Sequence, residues 1–189
     1  MSVLSRLLQR GRFDDDLNVE PMRRRHLNEV LPIEQSAYPR PWSSAVFQSE
    51  LELVRQGLRR YLVATRGVEL VGYAVLMFVI DDAHVSNIAV HPDHRREGVA
   101  TRLLAELAWE AIARSCAAMT LEVRHTNTGA QALYRQFGFV PAGVRLKYYE
   151  NTDDAIVMWC HDISEPGYAE RLRELSPEAG PAQRPGAST

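Results

Sequence analysis

The chain has 189 residues, 46% hydrophobic and 24% charged, which is enough to bury one sizeable core and too short to make two ordinary domains the first expectation. With 22 Lys+Arg against 24 Asp+Glu the formal net charge is -2, so bulk electrostatics gives no reason to expect nucleic acid or an anionic membrane as a partner. Cys116 and Cys160 lack metal-ligand spacing, "MSVLSRLLQR" lacks a secretory apolar run, and "YAVLMFVI" at 73–80 is far short of a bilayer span. These features predict a cytoplasmic protein with reduced thiols.

Residues 1–16 read as an N-terminal extension with an amphipathic turn or two, from Val3, Leu4, Leu7 and Leu8, before the acidic "FDDD". "LNVEPM" then reads as a short strand, "RRHLNEVLPIEQSAY" as a helix ending before Pro39, and "SSAVFQSELELVRQ" as a second helix opened by a serine cap. Three β-branched runs follow, "RYLVAT", "ELVGYAVLMFVI" and "DAHVSNIAV", separated by "RG" and "DD" turns in the manner of an antiparallel meander. Ala100, Leu103, Leu104, Leu107, Ala108 and Ala111 draw one apolar stripe along a helix. In "AMTLEVR" the alternation puts Met119, Leu121 and Val123 on one face of a strand and Thr120, Glu122 and Arg124 on the other. "NTGAQALYRQF" is a helix capped by Asn127 and stopped by Gly138, and two strands, "FVPAGVRLKYY" and "DDAIVMWCHDI", close the set. From Ser164 the chain is rich in Pro, Gly, Ala and charge, which predicts a short peripheral helix near 168–175 and then a largely disordered tail to 189. The order of elements predicts an α+β sheet with helices on its faces. The link from "SNIAV" through the long helix to "MTLEV" has the length of a crossover, so those two strands should be parallel neighbours.

The stretch "HRREGVATRLL" at 94–104 places two arginines, a glycine and an alanine at the start of a helix. A helix's first turn carries N–H groups without intrahelical partners and the positive end of the macrodipole, so it attracts anions. Gly98 and Ala100 let a phosphate approach the backbone, and Arg95 and Arg96 add charge. Neither standard nucleotide signature is present. The same residues also fit a plain strand-to-helix turn with a solvated arginine pair.

Other residues carry two readings as well. Glu122 emerges opposite the apolar face of its strand, as either an active carboxylate or a surface partner of Arg124. Tyr134 lies seven residues after Asn127 on nearly the same helical face, where both can address one ligand, or where the ring is simply core. His91 and His94 in "HPDH" lack further ligands and read as solvated, so no metal is expected. Both cysteines read as buried and structural.

"RREGVA" at 95–100 resembles the R/Q-x-x-G-x-G/A pyrophosphate loop of the GNAT acetyltransferases, in the same place between strand and helix. The likeness runs on through "FVIDDAHVSNIAVHPDHRREGVATRLL", "LEVRHTNTGAQALYRQFGF" and "PRPWS", over roughly residues 17–163, and is similar to the RimI branch, the ribosomal-protein N-terminal alanine acetyltransferases. It implies the GNAT fold: α+β, a mixed central sheet of about seven strands flanked by about four helices, with a splayed parallel pair binding acetyl-CoA as co-substrate. By resemblance, Ile88, Ala89 and Val90 would pair with the pantetheine arm, and Arg95, Arg96, Glu97, Gly98, Val99, Ala100 and Thr101 would hold the pyrophosphate. Asn127 would contact the coenzyme arm, Glu122 would serve as general base, and Tyr134, close to the cofactor, would return a proton to the departing sulfur. Trp42 in "RPWS" and Tyr148 and Tyr149 in "KYYE" would flank the peptide groove, with Asn87 a further candidate for the acceptor backbone.

The resemblance implies a protein N-terminus as acceptor, that of a ribosomal-protein alanine, for a monomer or weak dimer. The amine's acidity agrees, since an α-amino group near ~7.8 loses its proton more readily than a lysine near ~10.4, by about 3.5 kcal/mol. A lysine or small-amine acceptor, and a non-catalytic acyl-CoA-binding module, are the alternatives. The chain departs from the family pattern at Ala100, which replaces a more usual glycine, at "HTN", which keeps only the Asn, and at both extensions.

Overall fold

The computed structural model describes residues 16–181; the readings made for residues 1–15 and for 182–189 lie outside the described residues. The elements are β1 (Leu17–Pro21), α1 (Leu27–Ala37), α2 (Ser44–Arg55), β2 (Arg59–Arg66), β3 (Glu69–Val79) and β4 (Asp82–Val90). They continue with α3 (Val99–Ala113), β5 (Ala118–Arg124), α4 (Thr128–Gln136), β6 (Val140–Tyr149), β7 (Asp153–Cys160) and α5 (Pro166–Leu175). Single 3-10 turns, Arg24–His26 and Pro92–His94, precede α1 and follow β4. The seven strands form one mixed sheet in the order β1-β2-β3-β4-β5-β7-β6, so the α+β expectation holds, with five α-helices among the described residues.

The helix boundaries follow from their caps. Ser43 accepts the Val46 N–H at the start of α2, and Asn127 accepts the Ala130 N–H at 3.1 Å at the start of α4. Gly138 ends α4 at φ +89, a left-handed conformation that glycine takes without steric cost. Pro32 sits inside α1 without ending it.

The described residues divide into two compact units. The first contains the described residues up to Met77 together with Asn87–Leu104. There β1 pairs antiparallel with β2, and β2 with β3. Its core joins Val30 and Ile33 of α1 and Phe47 of α2 to Tyr61, Val63, Tyr73, Val75 and Ala89 from the strands. Gly72 of β3 is a point of close approach. A Cβ there would stand 2.9 Å from the Ala89 carbonyl and 3.0 Å from a Val99 methyl, so no larger residue fits without a shift.

The second unit contains Phe78–Ser86 and the described residues from Ala105 on. In it β4 and β5 run parallel, paired from Asp82 with Ala118 to Val85 with Leu121. That pairing stops although β4 continues to Val90 and β5 to Arg124, which is the splayed parallel pair expected. On its other side β5 pairs antiparallel with β7, and β7 with β6. Met119, Leu121, Val123, Met158 and Cys160 are buried, as are Cys116, Phe137 and Phe139. Burial raises the pKa of both thiols, as suits structural cysteines.

The short helix expected near 168–175 is α5, and it is packed rather than peripheral. Leu172 of α5 is fully buried, Tyr168 nearly so, and Ser176 and Ala179 beyond the helix are buried too. Order therefore runs past the expected start of the disordered tail, because α5 has an apolar face, Tyr168 and Leu172, that its charged residues disguise in an average composition.

Candidate active site

Glu122 is the first β5 residue beyond the paired stretch of β4 and β5. Its side chain is 9% exposed and sits between two basic groups: His84 Nε2 lies 3.1 Å from one oxygen and Arg145 Nη2 lies 3.1 Å from the other. Register explains His84, whose Cα partner is Thr120, two residues before Glu122 on the same face. The alternative partner, Arg124, is engaged elsewhere, with Glu150 and with Asp153 at 2.7 Å. Reading Glu122 as a surface partner of Arg124 is thereby corrected.

Tyr149 stands beside Glu122, and Tyr148 and Tyr134 stand near Tyr149. The Tyr149 hydroxyl donates to the Glu122 backbone carbonyl at 3.1 Å, and the Arg124 guanidinium lies 4.3 Å from the centre of its ring. Burial, then Tyr148 and Glu122, push the Tyr149 phenol up to about 12. Tyr148 packs edge-on against it, with the Arg145 guanidinium 5.3 Å from the centre of the Tyr148 ring. Tyr134 of α4 rests against Phe139, with ring centres 5.9 Å apart. Burial, and then Tyr149, raise its phenol well above the ordinary tyrosine value, so it holds its proton at neutral pH. Glu122, Tyr134, Tyr148 and Tyr149 are thus brought together, while Asn127 caps the exposed start of α4. The turn from β6 to β7 is irregular, with positive φ at Lys147, Glu150 and Asn151.

The loop before α3 lies in the first unit. Positive φ at Arg96 (+69) and Gly98 (+84) turns the backbone on itself, and Arg102 N–H to Gly98 C=O at 2.9 Å is a first bond of the helix. The amides of Val99, Ala100 and Thr101 therefore belong to the turn that has no intrahelical acceptors. Arg95, Arg96 and Gly98 are exposed, and neither arginine makes an ion pair among the described residues. This cradle fits an anion such as a diphosphate.

Two side chains of the loop are engaged within the protein, and one expectation needs correction. The Glu97 carboxylate pairs with Arg66 and with His94 Nδ1 at 3.0 Å, and these hydrogen bonds hold its pKa below the ordinary value. His94 is not solvated. Its ring lies between Glu97 and Glu69, the latter at 3.3 Å, and although burial opposes its charge the two carboxylates raise its pKa. Val99 and Ala89 are buried, whereas Ile88 and Val90 are half-buried. Among the described residues no group of three His, Cys, Asp or Glu is placed to hold a metal ion.

Trp42 and Asn87, also in the first unit, meet through a residue the motifs did not single out. Glu34, 1% exposed, accepts the Trp42 N–H at 2.8 Å and the Tyr73 hydroxyl, and Tyr73 is in turn hydrogen-bonded to the Asn87 side chain. The available signal was a carboxylate on the buried stripe of α1, beside Leu27, Val30 and Ile33.

Fold and site together define an acetyltransferase. The profile of the acetyltransferase (GNAT) family matches residues 27–139, and the chain belongs to that family, an N-acetyltransferase of α+β architecture. Within it, the chain is 41% identical over 131 residues to the ribosomal protein bS18-alanine N-acetyltransferase of Escherichia coli (strain K12), covering 67% of this chain and 84% of the relative. A relative from Bacillus subtilis (strain 168) is 37% identical over 145 residues, 75% of this chain and 93% of its own length. The crystal structure of the ribosomal-protein-S18-alanine N-acetyltransferase from Escherichia coli superposes with a TM-score of 0.69 at 32% identity, covering 77% of this chain and 94% of that one. Among the described residues no helix is long and apolar enough to cross a membrane.

Proposed function

We propose that this enzyme transfers the acetyl group of acetyl-CoA to the N-terminal α-amine of a protein, an alanine at the start of a bS18-type ribosomal protein, in the cytoplasm. The observation that carries the reading is the 41% identity to an enzyme named for that reaction. Acetyl-CoA supplies the activated acyl carbon as a thioester. On this reading the amides that follow Gly98, with Arg95 and Arg96, hold the diphosphate, while Ile88–Val90 and Asn127 guide the arm. Trp42, Asn87, Tyr148 and Tyr149 bound the acceptor.

The amine nitrogen forms a bond to the acyl carbon as the carbon–sulfur bond breaks. Glu122 takes the proton that nitrogen sheds, and Tyr134 gives its phenolic proton to sulfur, so the products are an N-acetylated chain and a neutral thiol. Proton return from Glu122 to Tyr134 through solvent restores both groups. The raised Tyr134 pKa supports the acid role, because the donor must be protonated at neutral pH. His84 and Arg145 support the base role by fixing where the Glu122 carboxylate points.

The test offers acetyl-CoA and two peptides that contain one lysine and begin with alanine, one with a free and one with a blocked N-terminus. Turnover of the free peptide alone is expected. Equal rates on both would end the α-amine assignment in favour of a lysine acceptor.

A further inference from the structure

Glu34 presents an oddity that packing does not explain. It lies on the buried stripe of α1, where leucine would fill the space and a carboxylate costs solvation free energy unless its oxygens are hydrogen-bonded. Both oxygens are used. One accepts the Trp42 N–H at 2.8 Å and the other accepts the Tyr73 hydroxyl. The Glu34 backbone carbonyl also accepts the Tyr38 N–H at 3.1 Å. One residue therefore clamps both ends of the segment from Tyr38 to Trp42 that links α1 to α2. Pro39 and Pro41 lie between those ends and have no N–H to offer. Two edge-on aromatic contacts, Trp42 to Phe47 at 5.6 Å and Phe47 to Tyr73 at 5.8 Å, run beside the same path. At its far end Tyr73 is hydrogen-bonded to the Asn87 side chain.

We infer that Glu34 is the positioning residue of the acceptor side, setting the Trp42 loop and the Asn87 amide as one unit for the incoming peptide backbone. The inference rests on the assignment of Trp42 and Asn87 to the acceptor. Glu34 itself touches no reacting atom on this view, and acts through the two residues it aligns. A carboxylate suits the task because it accepts at both oxygens. Glutamine offers one acceptor and one donor, so in Glu34→Gln either the Trp42 N–H or the Tyr73 hydroxyl faces an NH2 group.

Steady-state kinetics with acetyl-CoA and a peptide bearing a free N-terminal alanine tests this. In Glu34→Gln the KM for the peptide should rise about tenfold, while kcat and the acetyl-CoA dissociation constant stay within about twofold of wild type. Adding Tyr73→Phe removes the competing donor and leaves the Gln oxygen for Trp42, so the double variant should recover part of the peptide KM. Should Glu34→Gln fail to fold, Tyr73→Phe alone, which deletes one hydroxyl, must still raise the peptide KM. An unchanged peptide KM in the folded variants, or equal losses for both substrates without recovery in the double variant, overturns the inference while wild-type activity stands. A wild-type enzyme that leaves the alanine peptide unmodified overturns the acceptor assignment itself, and this inference with it.

Discussion

Glu122 owes its character to its neighbours. A strand alternation brings the side chain out on the face opposite Leu121 and Val123, and His84 and Arg145 then fix both oxygens at 3.1 Å. Glu122→Gln keeps the shape and loses the proposed base, so kcat should fall by about 10²- to 10⁴-fold while acetyl-CoA binding, measured by calorimetry, is retained. A variant with wild-type kcat would remove Glu122 from the chemistry. Tyr134→Phe deletes only the proposed proton donor, and its loss of kcat should be of the order of 10²-fold at unchanged peptide KM. The alternation of "AMTLEVR" made the direction of Glu122 legible in the sequence. Its partners were not legible, because His84 comes from β4 and Arg145 from β6, and neither strand's register is written in local periodicity. Glu34 was hidden for a different reason: its position on the α1 stripe reads as a lapse in the apolar pattern until Trp42 and Tyr73 are seen to answer it.

At the scale of elements, the caps and stripes proved the most readable features. Ser43 and Asn127 open their helices as their side chains dictate, and Leu103, Leu104, Leu107, Ala108 and Ala111 are buried along α3. In the loop before α3 the partners of two side chains were not legible, since Glu97 and His94 find Arg66 and Glu69, which lie far away in sequence. Their titration gives a signed prediction. His94, raised above 6.5, stabilises the loop fully below that value and loses its contribution as pH rises through its folded pKa. Glu97, lowered from 4.5, contributes fully above that value and loses its contribution as pH falls through its depressed pKa. The contact is thus complete between pH 4.5 and 6.5, and an NMR titration should place the His94 midpoint above 6.5. A midpoint at or below that value contradicts the pairing. Gly72 supplies a second element-level test, for a Cβ at 2.9 Å from the Ala89 carbonyl must push β3 away from the backbone beside it. Gly72→Ala should cost about 1–3 kcal/mol of stability, read as a lower denaturation midpoint. An unaltered midpoint would mean that this close approach is not structural.

At the scale of the whole molecule, each unit holds its own set of candidate functional side chains: the loop before α3 and the Glu34 network in one, the Glu122 cluster in the other. Helix α5 packs as part of the folded protein, as the burial of Tyr168 and Leu172 requires. Leu172→Ala should therefore cost about 2–5 kcal/mol of stability in chemical denaturation, and a cost near zero would return α5 to the status of an appendage. The central claim is acetyl transfer to a protein's first nitrogen. Its most direct measurement is tandem mass spectrometry of an unmodified bS18-type ribosomal protein after incubation with acetyl-CoA and this enzyme. A single acetyl group on the α-nitrogen of the N-terminal alanine is expected. Acetylation confined to lysine side chains, or none at all with folded enzyme that binds acetyl-CoA, would contradict it.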